Sequence, residues 1–353
     1  MVGCISAHYA VSLGLAARAL PSISLRTARI HFPRNTGQPQ ATQGLRSFQE
    51  KDNLVTQLSN EASVAKKHPL IANKKIVVSA GVWDVLSAKL AERAGFSTVV
   101  LSGYAVSASH LGEPDFGLLT QTEILDVARR VCRAVGIRVI VDGDTGFGGP
   151  LNVVHMVEAL VQLGAAGVIL EDQTWPKRCG HMRGKSVVPV EEHVAKIRAA
   201  VSVRDRLKES FVITARTDAR DPLGIDEAIR RGIAYREAGA SIIFVEAPES
   251  EAELKRITSE IPGIKTVNNI EGGKTPILPL ERAHELGFIS VGFVLTGLYA
   301  AARAIQHSYE HLLEHGTSQG LEDRMMSFEE FGEAVGLEQK YALDEKFGGG
   351  AGE

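Results

Sequence analysis

The residues Glu171 to Lys185, EDQTWPKRCGHMRGK, gather reactive side chains into one short stretch. An apolar run, AAGVIL, ends in Glu171 and Asp172 and passes into a loop where Cys179 stands among Lys177, Arg178 and His181. Neighbouring cations favour thiolate, so Cys179 is expected to lose its proton easily. The competing reading is a basic surface loop with a cysteine in it by chance, and the other acids must decide. Asp142 and Asp144, two apart in VDGDTGFGG, crowd two carboxylates at one place, a repulsion that a divalent cation relieves. Mg2+ suits the pair because it takes oxygen ligands, keeps several waters and needs only one or two direct carboxylates; Mn2+ is its substitute. Zinc would want Cys or His at close spacing.

These side chains need a scaffold, and from Lys75 onward the chain alternates short β-branched runs with amphipathic segments, the pattern of βα units around a parallel sheet. Strands are expected at 76–80, 98–102, 139–143, 167–171, 211–215, 241–246, 264–268 and 288–293. Eight strands predict a closed (β/α)8 TIM barrel, in which reactive groups collect at the C-terminal ends of the strands. Polar residues fall at those ends: Ser102, Gly103 and Tyr104; Asp142 and Asp144; Glu171 and Asp172; Arg216, Thr217 and Asp218; Glu246; Asn268 and Asn269. One such charge is a routine solvated loop end, but six strands sharing the habit point to a site. The segment DEAIRRGIAYREAG starts acidic and ends in a glycine that suits a helix terminus.

The 353 residues, 44% hydrophobic and 23% charged with a formal net charge of −3, can bury a large core, and they argue against nucleic acid or an anionic membrane as main partner. Cys4, Cys132 and Cys179 are far apart and odd in number, so no disulfide framework is implied. The apolar, uncharged stretch 288–302 falls short of the roughly 20 residues that span a bilayer. No acid precedes Glu50, while Arg18, Arg26, Arg29, Arg34 and Arg46 are spread through residues 1–49, the composition of an organelle transit peptide. Mitochondrion is preferred over plastid or cytoplasm. The barrel is expected over 50–316. Residues 317–353 are expected to form a linker, a short helix at FEEFGEAVGL that packs on a partner subunit, and a frayed end. Three signals are set aside. GHMRGKS has three residues between its glycines where a P-loop has four. His307, His311 and His315 lack the glutamate of HExxH, and Cys132 reads as a packing residue.

The motifs LSGYAVSASHLGEPDFG, VDGDTGFGGPLNV, LEDQTWPKRCGH, TARTDA, FVEAP and NNIEGGKTP together resemble the isocitrate lyase and phosphoenolpyruvate mutase superfamily, over about residues 65–315. The resemblance implies a barrel whose eighth helix is exchanged between subunits in a dimer of dimers. It implies that Asp142 binds Mg2+ with Asp115, Asp144 and Glu171 holding its waters. It further implies that Ser102, Gly103 and Tyr104 cradle a substrate carboxylate, that Arg216 meets the bound oxyanion, and that Glu246 and Asn268 line the far side. KRCGH is similar to the lyase signature, in which the cysteine protonates the departing enolate; phosphonomutases lack that cysteine. Bacterial methylisocitrate lyases carry His at the place of Ile169 and Arg where Tyr299 aligns, which removes a cation here. EGGKTP is closer to dimethylmalate lyase-like and carboxyphosphonoenolpyruvate mutase-like members.

The expectation is therefore a Mg2+-dependent lyase that cleaves a 2-hydroxy di- or tricarboxylate, of 2-methylisocitrate or 2,3-dimethylmalate type, to a 2-oxoacid such as pyruvate and a second carboxylate. Cys179 would donate the proton, Arg216 would offset charge, and Tyr104 or a carboxylate would act as base. Gly180 and His181 would contact substrate from the loop 175–185, which closes as a lid. The alternatives are an oxaloacetate acetylhydrolase, a phosphonomutase and a barrel that only binds.

Overall fold

The computed structural model describes residues 67–207 and 210–348. The expected leader lies outside the described residues, as do 50–66 and 349–353. Eight parallel strands close in chain order, with β8 pairing β1: β1 Val77–Val82, β2 Thr98–Leu101, β3 Arg138–Asp142, β4 Gly167–Glu171, β5 Val212–Thr217, β6 Ile242–Val245, β7 Ile264–Asn268 and β8 Ser290–Phe293. A principal helix follows each: α1 Val85–Arg93, α2 Gln121–Ala134, α3 Pro150–Gln162, α4 Val190–Leu207, α5 Ile225–Glu237, α6 Glu251–Glu260, α7 Leu280–Glu285 and α8 Thr296–His315. This is the (β/α)8 barrel that the alternation of segments predicts.

Local chemistry sets the helix ends. Asp84 and Thr120 cap α1 and α2 with reciprocal bonds to Ser87 and Glu123, supplying partners to backbone N–H groups that a helix start leaves free. Helix α5 stops where Gly239 turns left-handed at φ +103°.

The period of two along each strand sorts the side chains. Val139 and Val141, Val168 and Leu170, and Ile213 and Ala215 are buried in the apolar core. The alternating positions Asp142, Ile169 and Arg216 line a cavity instead. Pairing sets their level: Asp142 opposes Ile169, Glu171 opposes Arg216, and Arg216 opposes Phe244.

Some boundaries differ from expectation. β2 ends at Leu101 because Ser102 leaves the sheet to cap the short helix Gly103–Val106, its Oγ accepting from the Ala105 N–H at 3.4 Å. β5 runs on to Thr217, so Arg216 stands on the strand itself. Beyond the barrel, α9 Phe328–Val335 is the expected short helix, and α10 Leu337–Phe347 adds one that the sequence reading missed. α9 contacts its own barrel: Arg93 Nη2 lies 2.7 Å from Glu333 Oε2, and Lys89 Nζ donates to the Val335 carbonyl at 3.1 Å. No residue of α8 is buried. No described helix is long and apolar enough to cross a membrane.

Candidate active site

At the C-terminal mouth of the barrel, one cavity is lined by Ser102 and Tyr104 after β2, Asp115 from the following loop, Asp142, Ile169, Arg216, Phe244, Glu246 and Asn268 from the strands, and Cys179, Gly180 and His181 from the lid. Asp142 accepts from the Gly103 N–H at 3.1 Å and from the Asp144 N–H at 3.2 Å, which fixes its carboxylate toward the β2 loop. Lys177 Nζ reaches down from the lid to Asp115 at 2.7 Å and Asp144 at 2.6 Å. Burial pushes the Asp144 carboxyl up to about 7, with Asp142 and Asp115 adding to the shift and Lys177 opposing it. Burial likewise holds Glu171 well above the usual carboxylate range, and its Oε1 has no hydrogen-bond partner.

Such crowded, incompletely satisfied carboxylates have the chemistry of a cation site. Among the described residues, no three His, Cys, Asp or Glu side chains form a closed cage. The donors gathered here are carboxylate oxygens, the ligand type that suits a hard divalent cation.

On the other side stands Arg216. Its Nε lies 2.8 Å from Asp218 Oδ2, its Nη1 3.1 Å from Glu246 Oε2 and its Nη2 3.3 Å from Glu171 Oε2, and the guanidinium lies over the Phe244 ring at 5.6 Å. Burial works against this charge, but Asp218, Glu246 and Glu171 outweigh it and keep the group protonated. Glu246 also faces His181 Nε2 at 3.0 Å, and its carboxyl is held below the ordinary range: burial opposes ionisation, and Arg216 and His181 overcome it.

The lid corrects the expectation for Cys179. Lys177 turns away to Asp115 and Asp144, Arg178 lies over the Phe116 ring at 5.5 Å, and His181 Nδ1 accepts the Lys274 N–H at 2.8 Å. The thiol is left with burial, Asp115 and Glu246, which push it up to about 12 against the pull of the His181 backbone N–H and Arg216. Burial therefore favours the thiol over the thiolate. Gly180 is required beside it, since a Cβ there would stand 2.2 Å from Glu246 Cγ and 2.5 Å from Arg216 Nη2.

Not every strand-end residue reaches the cavity. Asp172 points behind the strands, accepting from Thr217 Oγ1 at 2.7 Å, Tyr235 OH at 2.7 Å and Arg231 Nη1 at 3.0 Å. Asn269 commits its amide to the backbone of Leu278. Tyr299, on α8, approaches Tyr104 with the hydroxyls 3.5 Å apart. The sequence reading missed the apolar wall of Val100, Phe244, Ile270, Val294 and Leu295, because at strand ends such residues look like ordinary core. It also missed that Lys177 and Lys185 are buried in ion pairs; two lysines in a polar loop carry no signal of burial.

The phosphoenolpyruvate phosphomutase family matches residues 67–313. The petal death protein of Dianthus caryophyllus is 49% identical over 79% of this chain and 88% of its own. The 2,3-dimethylmalate lyase of Eubacterium barkeri is 44% identical over 82% and 99%, and the chloroplastic carboxyvinyl-carboxyphosphonate phosphorylmutase of Arabidopsis thaliana 45% over 79% and 83%. Among solved structures, oxaloacetate acetylhydrolase in complex with the inhibitor 3,3-difluorooxalacetate superposes with a TM-score of 0.75 at 35% identity, covering 80% of this chain and 96% of that one. A 2,3-dimethylmalate lyase of the PEP mutase/isocitrate lyase superfamily gives 0.74 at 32% identity, over 80% and 96%. The chain belongs to the phosphoenolpyruvate phosphomutase family, within the PEP mutase/isocitrate lyase superfamily, and stands on its carbon-carbon lyase branch.

Proposed function

We propose that this chain is a Mg2+-dependent lyase, with Mn2+ as substitute ion, that cleaves a branched 2-hydroxy dicarboxylate of the 2,3-dimethylmalate type to a 2-oxoacid such as pyruvate and a second carboxylate. The observation that carries the reading is the Cys179 thiol and the Arg216 guanidinium lining the same cavity as Asp142 and Asp115. Asp142, with Asp115, Asp144 and Glu171, would hold the ion, whose Lewis acidity offsets charge at the oxygen that becomes a carbonyl. Ser102, Gly103 and Tyr104 bind one substrate carboxylate. Tyr104 or a carboxylate of the cluster takes the hydroxyl proton, and the electrons of the breaking carbon-carbon bond pass to the second fragment as an enolate of its carboxylate. Arg216 stabilises that oxyanion, and Cys179 delivers its proton to the carbon. Gly180 and His181 complete the roof, with Glu246 and Asn268 on the far side, and exclude water that would quench the enolate.

The wall of Val100, Ile169, Phe244, Ile270, Val294 and Leu295 supports an alkyl-bearing dicarboxylate over the tricarboxylate 2-methylisocitrate. Among the described residues Arg216 is the only Lys or Arg lining the cavity and is already shared by three carboxylates, which leaves little positive charge for a third substrate carboxylate.

The test is a panel of 2-hydroxy and 2-keto dicarboxylates assayed with Mg2+ for release of a 2-oxoacid. Pyruvate from 2,3-dimethylmalate, abolished by a chelator and restored by Mg2+, is the expected result. Oxalate from oxaloacetate with no lyase turnover would replace this reading with the acetylhydrolase, which the likeness to that structure keeps as the second reading. A phosphonomutase is disfavoured by Cys179 in the lid.

Two proposals extend to the whole protein. The unburied α8 supports a homo-oligomer in which this helix is exchanged between subunits. The acid-free leader supports import into mitochondria, with plastid as the alternative, given a relative named as chloroplastic.

A further inference from the structure

One buried carboxylate that the proposed chemistry does not use, Asp218, touches both halves of the site. A guanidinium offers five N–H groups in a rigid fork. Asp218 accepts two hydrogen bonds from Arg216, from Nε at 2.8 Å and from Nη2 at 3.1 Å, while Glu246 and Glu171 approach the guanidinium as ion-pair partners at 3.1 Å and 3.3 Å. Asp218 is itself clamped from behind, its backbone N–H donating at 2.8 Å to Asp172 Oδ1.

The same carboxylate also holds the lid. Lys185 Nζ lies 3.1 Å from Asp218 Oδ1 and donates to the Gly180 carbonyl, and both side chains of the pair are fully shielded from solvent. Gly180 in turn sits directly on Arg216 and is bonded to Cys179 along the chain. Opening the lid therefore means drawing a buried ammonium off a buried carboxylate, a costly separation.

We infer that Asp218 is a positioning residue with two tasks: it sets the Arg216 fork toward the substrate oxyanion, and it catches Lys185 so that the lid seats over an already aligned Arg216. The first task rests on the lyase reading; the second stands without it.

The test uses the full chain with Mg2+ and oxalate as probe ligand. Arg183 is exposed in the lid, so tryptic cleavage after it, located by mass, reports lid opening. Lys185→Met is expected to raise that cleavage rate about tenfold or more, the scale of a lost charge-assisted bond, and to lower kcat more than it changes KM. Asp218→Asn is expected to raise cleavage similarly and, because Arg216 loses its fork, to weaken oxalate binding about tenfold as well. The double variant should cleave no faster than Asp218→Asn alone, because the two residues act as one contact. Cleavage at the wild-type rate in Lys185→Met overturns the catch, even if Asp218→Asn fails to fold. Wild-type oxalate affinity in a folded Asp218→Asn, checked by circular dichroism, overturns the alignment of Arg216. Failure of the lyase reading would show separately, as wild-type protein that turns over no 2-hydroxy dicarboxylate.

Discussion

Burial, Asp115 and Glu246 keep the Cys179 proton in place, up to about 12 against an ordinary 9.0, so its thiolate at pH 8 is rarer than that of a free cysteine by about a thousandfold. A group held so is suited to give its proton to a carbanion and unsuited to attack a carbonyl. Cys179→Ser removes the acid with little change in shape, and turnover of the lyase substrate is expected to fall about a hundredfold or more with KM within about threefold. Steady-state kinetics check this, and unchanged kcat would take Cys179 out of the acid role. With the lid seated, alkylation of Cys179 by iodoacetamide at pH 8 should proceed about a thousandfold more slowly than that of a free thiol, as mass spectrometry of the modified peptide can follow. The raised pKa also bears on stability: the folded state holds this proton more tightly than the unfolded chain, so the contribution is full below pH 9 and is lost as pH rises toward 12. Asp142 and Asp144 were legible as a pair because carboxylates two apart at a strand end have few other uses. The protonation of Cys179 was not legible, because Lys177 and His181 turn toward partners far along the chain, Asp144, Asp115 and Lys274, which the loop's own composition does not reveal.

The strands were legible for the same reason that the barrel forms: β-branched runs of four to six residues between amphipathic segments have one efficient way to bury both faces. Their last residues were less so, since Ser102 had to choose between sheet and cap, and α10 follows a left-handed Gly336 that reads in sequence as an ending. Helix–helix packing behind the site adds a property that no periodicity predicts. His193 on α4 is buried edge-on against Tyr235 on α5, ring centroids 4.6 Å apart, and burial lowers its pKa from 6.5 to about 4. Because the fold refuses a proton that the unfolded chain accepts, its stability cost is absent well above pH 6.5 and grows as pH falls toward 4. Between pH 7 and pH 5 the wild type is expected to lose about 2 kcal/mol through this group. His193→Leu should flatten that slope, whatever its separate effect on packing at pH 7. Urea denaturation at the two pH values measures both, and equal slopes in the two proteins would remove His193 as the cause.

At the scale of the whole molecule, α8 presents an imbalance that the barrel alone does not resolve. Ile305, Tyr309, Leu312 and Leu313 recur at the spacing of one helical face, and Leu313 is 89% exposed. Twenty residues of helix gain little stability from propensity alone, so a face of this kind needs an apolar partner. A second copy of the chain would supply one under the proposed assembly, since a two-fold contact would let each α8 cover the other subunit. The helix begins beside the site, with the Tyr299 and Tyr104 hydroxyls 3.5 Å apart. Replacing Tyr309 with Lys and Leu313 with Glu in one protein places two charges in that face without touching the cavity. Sedimentation equilibrium is expected to show a wild-type oligomer and a smaller species for the double variant, with far-ultraviolet circular dichroism retained. Its kcat should fall as well, because an undocked α8 no longer fixes Tyr299 against Tyr104. A wild-type chain that sediments as a monomer at micromolar concentration would sink the assembly and leave the exposed face of α8 without this explanation.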